Sequence, residues 1–385
     1  MLPAATHILT PLPALPKSWS ELTWQQLQDC WRVKMRYGRN QDVARAAALL
    51  ALLGLETVGF SDNHLNVETI KRYDETTGEA TYLLCAGETH AAYTVTAREL
   101  SQMAQQALLW FDYPYGDPGK EAVRDENGKV VEEAVAPVRG YVNPNFNDAL
   151  ALPEEVVVVV GHRILTDREW QAMTDRQRQQ LTRQGRESYF ALPSVACNNL
   201  TWQQYRSLQV ISPMLFNEDI SEDDAIDLQA QFMAQSLVPA KDGDQTADHF
   251  MPRRVFTYDT DRAEQTVRFW KERLESRLND DSIKRGSEKT AAVLFHILFQ
   301  VYQTALSYYT RMFPLLFSGG GKNDPLQDAL TGEVRTINAV MKYQGYTKPE
   351  DVYAENLPVI LSTLNTMAEE AKQVEQMNAR IKKKH

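Results

Sequence analysis

Apolar residues recur at steps of three and four along most of this 385-residue chain. That spacing places them on one face of an α-helix. It runs from Thr23 to about Tyr37, from Asp42 to Leu53, and through most of the last third of the chain. The pattern therefore predicts a mainly α protein built from helical bundles.

The strictest version of this pattern lies in the last predicted helix, at eight positions that alternate steps of three and four: Leu357, Ile360, Leu364, Met367, Ala371, Val374, Asn378 and Ile381. This is the a/d rhythm of a packing seam, and a polar residue such as Asn378 at an a position fixes the register of the helices it joins. Two interpretations stay open. The helix docks on its own bundle, or it binds a second subunit or another partner.

A five-residue box, Leu-Thr-Trp-Gln-Gln, occurs at Leu22–Gln26 and again at Leu200–Gln204. A Thr followed three residues later by Gln or Glu is a capping box, in which each side chain bonds the backbone of the other residue. The same spacing recurs at Thr96/Glu99, Thr166/Glu169, Thr174/Gln177 and Thr347/Glu350. Each is a predicted helix start. The two identical boxes indicate either a duplicated helical hairpin or chance.

Alternating apolar and polar residues indicate a smaller β component. Residues 66–73 and 79–85 predict a β-hairpin, and Ala92–Val95 adds a strand. Asn127-Gly128 between valines predicts a second hairpin, because this dipeptide suits a two-residue turn. The five valines of Val156–Val160 indicate a buried strand. We therefore expect an α+β fold, mainly α, with helical bundles and a minor antiparallel β component.

We expect three consecutive domains. Residues 1–150 hold a helical hairpin, a small β-meander and a hairpin arm. Residues 151–250 form a central helical unit with the second box, and residues 251–385 form a bundle that ends in the seam helix. The polar stretch Pro239–Pro252 is the expected linker.

Charge and cysteine content exclude several classes of protein. With 51 acidic and 41 basic residues, the chain lacks the basic surface of a protein that binds nucleic acid through its phosphates. Cys30, Cys85 and Cys197 are odd in number and far apart, which favours neither a disulfide framework nor a zinc site. Met1–Lys17 has no secretory signal. A reducing compartment, the cytoplasm, fits best.

No familiar catalytic or ligand-binding motif stands out. The seven histidines never take the i, i+4 spacing of a helical metal site, and the glycines of Ser318–Lys322 lack the spacing of a phosphate-binding loop. We expect no cofactor and no catalytic, cofactor-binding or metal-binding residue. Ala291–Tyr309 contains no Lys, Arg, Asp or Glu, so a membrane span is an alternative to a buried central helix.

The Leu-Thr-Trp-Gln-Gln helix starts, the acidic helical body and the Lys-ended last helix after Tyr346–Tyr353 together resemble tail-assembly and virion proteins of phages and prophages. The resemblance covers the two boxes and the C-terminal third. It implies a non-enzymatic protein that binds other subunits during assembly or within a particle, in the host cytoplasm or the virion.

We therefore expect an α-rich scaffold or assembly protein that acts through contacts with other protein subunits, either copies of itself or an assembly partner. Neither nucleic acid nor a membrane is an expected partner. The candidate interaction residues are Leu357, Ile360, Leu364, Met367, Val374, Asn378, Ile381, Trp24 and Trp202. For the two tryptophans the core is the alternative place. Two other functions remain open: an enzyme or ligand-binding protein with a pocket between its helical units, and a membrane-associated protein anchored by residues 291–317.

Overall fold

The structure is a computed structural model that describes residues 6–7, 15–38, 40–57, 72–74, 79–86, 92–112, 114, 123–124, 130–132, 152–183, 185–215, 219–239, 263–275, 290–317 and 325–382. The chain forms two compact units. Unit 1 comprises Met1–Asn143, Leu152–Ser188 and Glu272–Gln300, and unit 2 comprises Pro144–Ala151, Tyr189–Lys271 and Val301–His385. Each unit draws on three separate stretches, which differs from the three consecutive domains expected above.

Helices dominate the part of the chain that is described. They are α1 (Trp24–Tyr37), α2 (Gln41–Leu52), α3 (Ala97–Ala107), α4 (Asp167–Ala172), α5 (Asp175–Thr182), α6 (Trp202–Met214), α7 (Glu222–Ser236), α8 (Ala263–Glu275), α9 (Thr290–Met312), α10 (Pro314–Phe317), α11 (Pro325–Gln344), α12 (Pro349–Ala354) and α13 (Leu357–Lys382). Short 3₁₀ turns lie at Trp19–Glu21, Leu109–Asp112 and Val195–Cys197. The prediction of a mainly α fold is confirmed.

The strands are short. They are β1 (Thr6–His7), β2 (Leu55–Thr57), β3 (Arg72–Asp74), β4 (Glu79–Ala86), β5 (Ala92–Thr96), β6 (Val123–Arg124), β7 (Val130–Glu132), β8 (Val156–Val160), β9 (Arg163–Thr166), β10 (Glu187–Ala191) and β11 (Val238–Pro239). The first sheet has the order β1-β5-β4-β2, with β3 also paired to β4. Strands β3 and β4 are antiparallel, with Tyr73 opposite Ala80, which confirms this hairpin. Only β1 and β5 pair in parallel among the registers described.

The second sheet is small, with the order β11-β10-β8-β9. All five valines of β8 are buried, as predicted for this run. Strand β9 returns antiparallel to β8 through a tight turn at Gly161, whose φ of 59° suits glycine. Strands β6 and β7 also pair antiparallel, although the Asn127-Gly128 turn lies outside the described residues. The minor antiparallel component is therefore confirmed.

Four of the predicted capping boxes form with both reciprocal hydrogen bonds, at Thr23, Thr166, Thr174 and Thr201. The side chain of Thr96 lies outside the described residues. The box predicted at Thr347 is wrong. Helix α12 begins after Lys348, with Pro349 at its first position and no side-chain cap. Proline has a fixed φ and needs no partner for a backbone N–H, so it sets this helix start by itself.

The core of unit 1 is aromatic and joins α1 to the first half of α9. The Trp31 ring stacks on His296 with 4.9 Å between centroids. Its Nε1 donates to the side-chain oxygen of Gln300 at 2.9 Å, and Gln300 in turn donates to the carbonyl of Pro114 at 2.6 Å. Burial lowers the pKa of His296 to about 4. Gln300 is thus hydrogen-bonded, and His296 stacked, inside a protein core.

The core of unit 2 is also aromatic and uses the second half of α9. Tyr302 meets Phe232 edge-on at 5.6 Å and Tyr205 at 6.4 Å, and Tyr205 lies 5.6 Å from Trp202. Gln204 is fully buried and donates to the carbonyl of Gln235 on α7 at 2.8 Å. Among the described helices, none is long and apolar enough to cross a bilayer.

Candidate protein-binding site

Helix α13 starts from a backbone anchor on the second box. The N–H of Leu357 donates to the carbonyl of Leu200 at 2.9 Å, and the N–H of Trp202 donates to the carbonyl of Glu355 at 2.8 Å. These two bonds make an antiparallel β-bridge between Thr201 and Asn356. The box therefore caps α6 and also fixes the first turn of α13.

The first half of α13, Leu357–Glu370, packs against unit 2. Leu357 and Ile360 are 0% exposed and Leu361 is 2% exposed. The amide of Gln344, at the end of α11, donates to the hydroxyl of Thr363 at 2.6 Å. The start of the seam is therefore a core element of its own unit, because Leu357, Ile360 and Leu361 are already covered, whereas Leu364 and Met367 are half-buried.

The second half, which we call the distal segment (Ala371–Ile381), is different. Every residue in it is exposed. Three apolar side chains stand in solvent: Val374 is 51% exposed, Met377 58% and Ile381 57%. Their positions follow the i, i+3, i+7 pattern by which helices insert into grooves. The distal segment thus carries an apolar stripe that nothing in the described part of the chain covers.

The distal segment and the residues that follow it are basic. Between Ala371 and His385 the sequence has five Lys or Arg residues and one acid, Glu375. The chain as a whole has ten more acids than bases. A basic amphipathic helix favours a partner surface that is apolar and negatively charged.

Unit 2 also contains an open cleft of about 640 Å³, formed by α6, α7, α8, α11 and α12. Its walls are lined by Gln203, Arg206, Ser207, Val210, Ile211, Gln231, Gln235, Ala263, Glu264, Val267, Glu333 and Tyr353. Val210 is 57% exposed, so part of the apolar wall faces solvent. The volume lies within the range of about 300–1,000 Å³ typical of binding pockets.

The charged groups of the cleft are partly paired. Glu333 lies 3.7 Å from the guanidinium of Arg206 and accepts a hydrogen bond from the hydroxyl of Tyr353 at 3.2 Å. Arg206 also donates to the amide oxygen of Gln209. Burial and the nearby charge of Glu333 raise the pKa of Tyr353. Glu264 is exposed at the rim, so two acids and one base face the cleft.

The structure separates the predicted interaction residues into three groups. Leu357 and Ile360 are buried, Leu364 and Met367 are half-buried, and Val374, Asn378 and Ile381 are exposed. Trp24 and Trp202, each 5% exposed, lie in the cores of units 1 and 2. Among the predicted interaction residues, those at the end of the seam are therefore the exposed ones.

The sequence did not predict several residues of the distal segment and of the cleft. Met377 lies three residues after Val374 and could have been found by widening the seam to its neighbouring position. The cleft residues Val210, Glu264 and Glu333 come from three helices far apart in sequence. Their assembly leaves no local pattern.

No group of three or more His, Cys, Asp or Glu side chains in the described ranges could hold a metal ion. Cys30 and Cys197 are buried free thiols, and burial raises the pKa of both. Burial that suppresses the thiolate also suppresses its reactivity. Neither thiol is a good nucleophile in this state.

No protein-family model, no curated protein and no solved structure matches this chain. The inference of function therefore depends on the geometry above.

Proposed function

We propose that this protein is a non-enzymatic assembly protein that binds another protein subunit through the distal segment of α13. One observation carries the proposal: along a single helix the residues of one apolar repeat change from buried at Leu357 and Ile360 to exposed at Val374 and Ile381. Exposed apolar stripes of this kind mark interaction surfaces. The resemblance to tail-assembly and virion proteins of phages agrees with this role.

The length of the distal segment favours a groove over a coiled coil. Its 11 residues, Ala371 to Ile381, span about 17 Å and cover only about one and a half heptads. Coiled coils are typically sustained over at least three or four heptads. Two distal segments alone would bury too little apolar surface, whereas a concave partner can surround Val374, Met377 and Ile381 together.

The basic charge of the segment and of the residues that follow it supports an acidic partner. Arg380, three residues after Met377, flanks the apolar stripe, Lys372 lies on the face of Gln376 away from the stripe, and Lys382–Lys384 follow in the sequence. Acidic side chains around an apolar groove would steer this helix into place and speed association. We therefore expect a protein partner whose groove is apolar at its floor and acidic at its rim.

The test uses a photo-reactive amino acid at two positions of the full-length chain in the cells that produce it. Met377 lies on the apolar stripe, and Gln376 lies on the opposite face of the same turn. We expect a specific crosslinked protein from position 377 and none from 376. The captured protein is then identified by mass spectrometry, purified and titrated against the chain.

The titration compares a double variant, Val374→Asp with Ile381→Asp, against a control, Gln376→Asp. Each apolar side chain lost from the contact removes about 1.5–3 kcal/mol. The double variant should therefore bind at least about 100-fold more weakly, and the control should bind like the wild type. Equal crosslinking from both faces, or equal affinity of the double variant and the control, refutes the proposed function.

A further inference from the structure

We propose that the partner groove is the cleft of unit 2 in a second copy of this chain, so that copies join head to tail. This inference rests on the proposed function and names its partner. The two surfaces are an exposed apolar helix end with Arg380 beside its stripe and an open cleft with Val210 and Val267 in its walls and one exposed acid, Glu264, at its rim. Each supplies what the other lacks.

The same molecule cannot fill its own cleft with this segment. Helix α13 is continuous from Leu357 to Lys382 and starts only four residues after Tyr353, which lines the cleft. At 1.5 Å per residue, Ile381 lies about 36 Å along the helix from Leu357. A straight helix that leads away from its anchor presents its tip to another molecule.

The shapes of the two surfaces are compatible. Val374 and Ile381 are seven residues apart, about 10 Å along the helix, and the cleft of 640 Å³ has room for their side chains with that of Met377. Val210 and Val267 offer apolar contacts in the wall. Burial of apolar side chains on both sides supplies the main stabilisation.

The charges are compatible as well. Glu264 is exposed at the rim and can meet Arg380 of the arriving helix. Arg206 repels a basic helix only weakly, because Glu333 and Gln209 already contact its guanidinium. Lining glutamines, such as Gln203 and Gln231, add neutral hydrogen-bonding groups.

The contact joins two different surfaces and is therefore heterologous. When two copies have bound, one of them keeps an unused cleft and the other an unused helix end, so that assembly continues into a closed ring or an open filament. A symmetric dimer would leave neither surface unused. This difference makes the inference testable by mixing variants.

The experiment uses two variants of the full chain. The helix variant carries Val374→Asp and Ile381→Asp, and the cleft variant carries Val210→Asp and Glu264→Lys. All four positions are exposed, and circular dichroism with a thermal melt verifies that both variants fold. Sedimentation velocity over a concentration series up to roughly 100 μM measures the size of each protein and of their equimolar mixture.

We expect the wild type to grow beyond a dimer with concentration, and each variant alone to stay a monomer. The mixture should form a dimer that does not grow, because the intact helix of the cleft variant fits the intact cleft of the helix variant. Gln376→Asp should assemble like the wild type, and added salt should weaken assembly.

Three results overturn the inference: a wild type that stays monomeric, a cleft variant that assembles normally, or a mixture that does not form the dimer. None of these refutes the proposed function, which fails only if position 377 crosslinks no more specifically than position 376, or if the double variant keeps its affinity for the captured protein. The two failures are therefore distinguishable.

Discussion

The two Leu-Thr-Trp-Gln-Gln boxes form the same local structure but have different roles. In both, the Thr caps a helix and the following Trp is 5% exposed. The first box opens α1 in unit 1, with Thr23 exposed to solvent. The second opens α6 in unit 2 and also holds the start of α13 through Leu200 and Trp202. Identical residues thus specify the cap, while the surrounding chain specifies whether the cap supports a second helix.

Truncation of the two box tryptophans should have the largest effects. Trp24→Ala and Trp202→Ala each leave a large cavity, and we expect each to lower the free energy of unfolding by about 3–5 kcal/mol. In hydrogen exchange, Trp202→Ala should also reduce protection of the Leu357 and Ile360 amides, because α13 starts from the second box. Trp24→Ala should leave those two amides protected. If both substitutions expose them equally, the second box is not the anchor.

A pH titration should distinguish the two halves of α9. Burial holds His296 neutral with a pKa of about 4, against about 6.5 in an unfolded chain. Below pH 6.5 the unfolded chain therefore binds a proton that the folded chain does not. The contribution of His296 to the free energy of unfolding should therefore be fully present above about pH 6.5. It should fall by roughly 1–3 kcal/mol as the pH is lowered to about 4. Urea denaturation at several pH values measures it.

The variant His296→Gln should remove this part of the pH dependence, although the loss of stacking on Trp31 lowers stability at every pH. Leu298→Ala, a buried substitution on the same helix that removes no titratable group, serves as the control: it should lower stability at every pH and keep the shape of the wild-type profile. In unit 2 the corresponding core residue of α9 is Tyr302, whose pKa burial raises, so its phenol stays neutral over the same range. An unchanged profile for His296→Gln would contradict the assignment.

The smallest expected difference concerns the glutamines of the two caps. Gln204 is fully buried and bonds both Thr201 and the carbonyl of Gln235, whereas Gln26 is half-buried and bonds Thr23. Gln204→Ala should cost about 1–3 kcal/mol and Gln26→Ala about 0.5–1 kcal/mol. Chemical denaturation of both variants measures the difference. Equal losses of stability in the two variants would show that burial of Gln204 does not add to the stability of the second cap.

Helix starts were the features best predicted from the sequence. The capping boxes at Thr23, Thr166, Thr174 and Thr201 form because their hydrogen bonds join residues three apart, which any local reading can detect. The prediction failed at Thr347, where Pro349 competes for the same helix start. Local sequence rules therefore predict a helix start correctly unless two of them apply to the same start.

Only part of the candidate protein-binding site could be predicted from the sequence. The repeat in α13 gives its length and apolar face, but the same repeat covers both the buried Leu357 and the exposed Ile381. What separates them is where neighbouring helices stop: α11 ends at Gln344 and contacts α13 no further along than Glu370 in the described contacts. The cleft brings together α6 and α12, whose residues lie about 150 positions apart. Contacts between residues so far apart in the sequence leave no periodic pattern from which they could be predicted.

The anchor between Leu200 and Leu357 closes a long loop, so that the order of the distal segment depends on the folding of the chain between them. Closing such a loop is entropically costly until the intervening helices have folded. A short helix without tertiary support is marginal in water, so the distal segment depends on the anchored turns before it. Under the proposed function, a half-folded copy would present no ordered helix for a partner to bind.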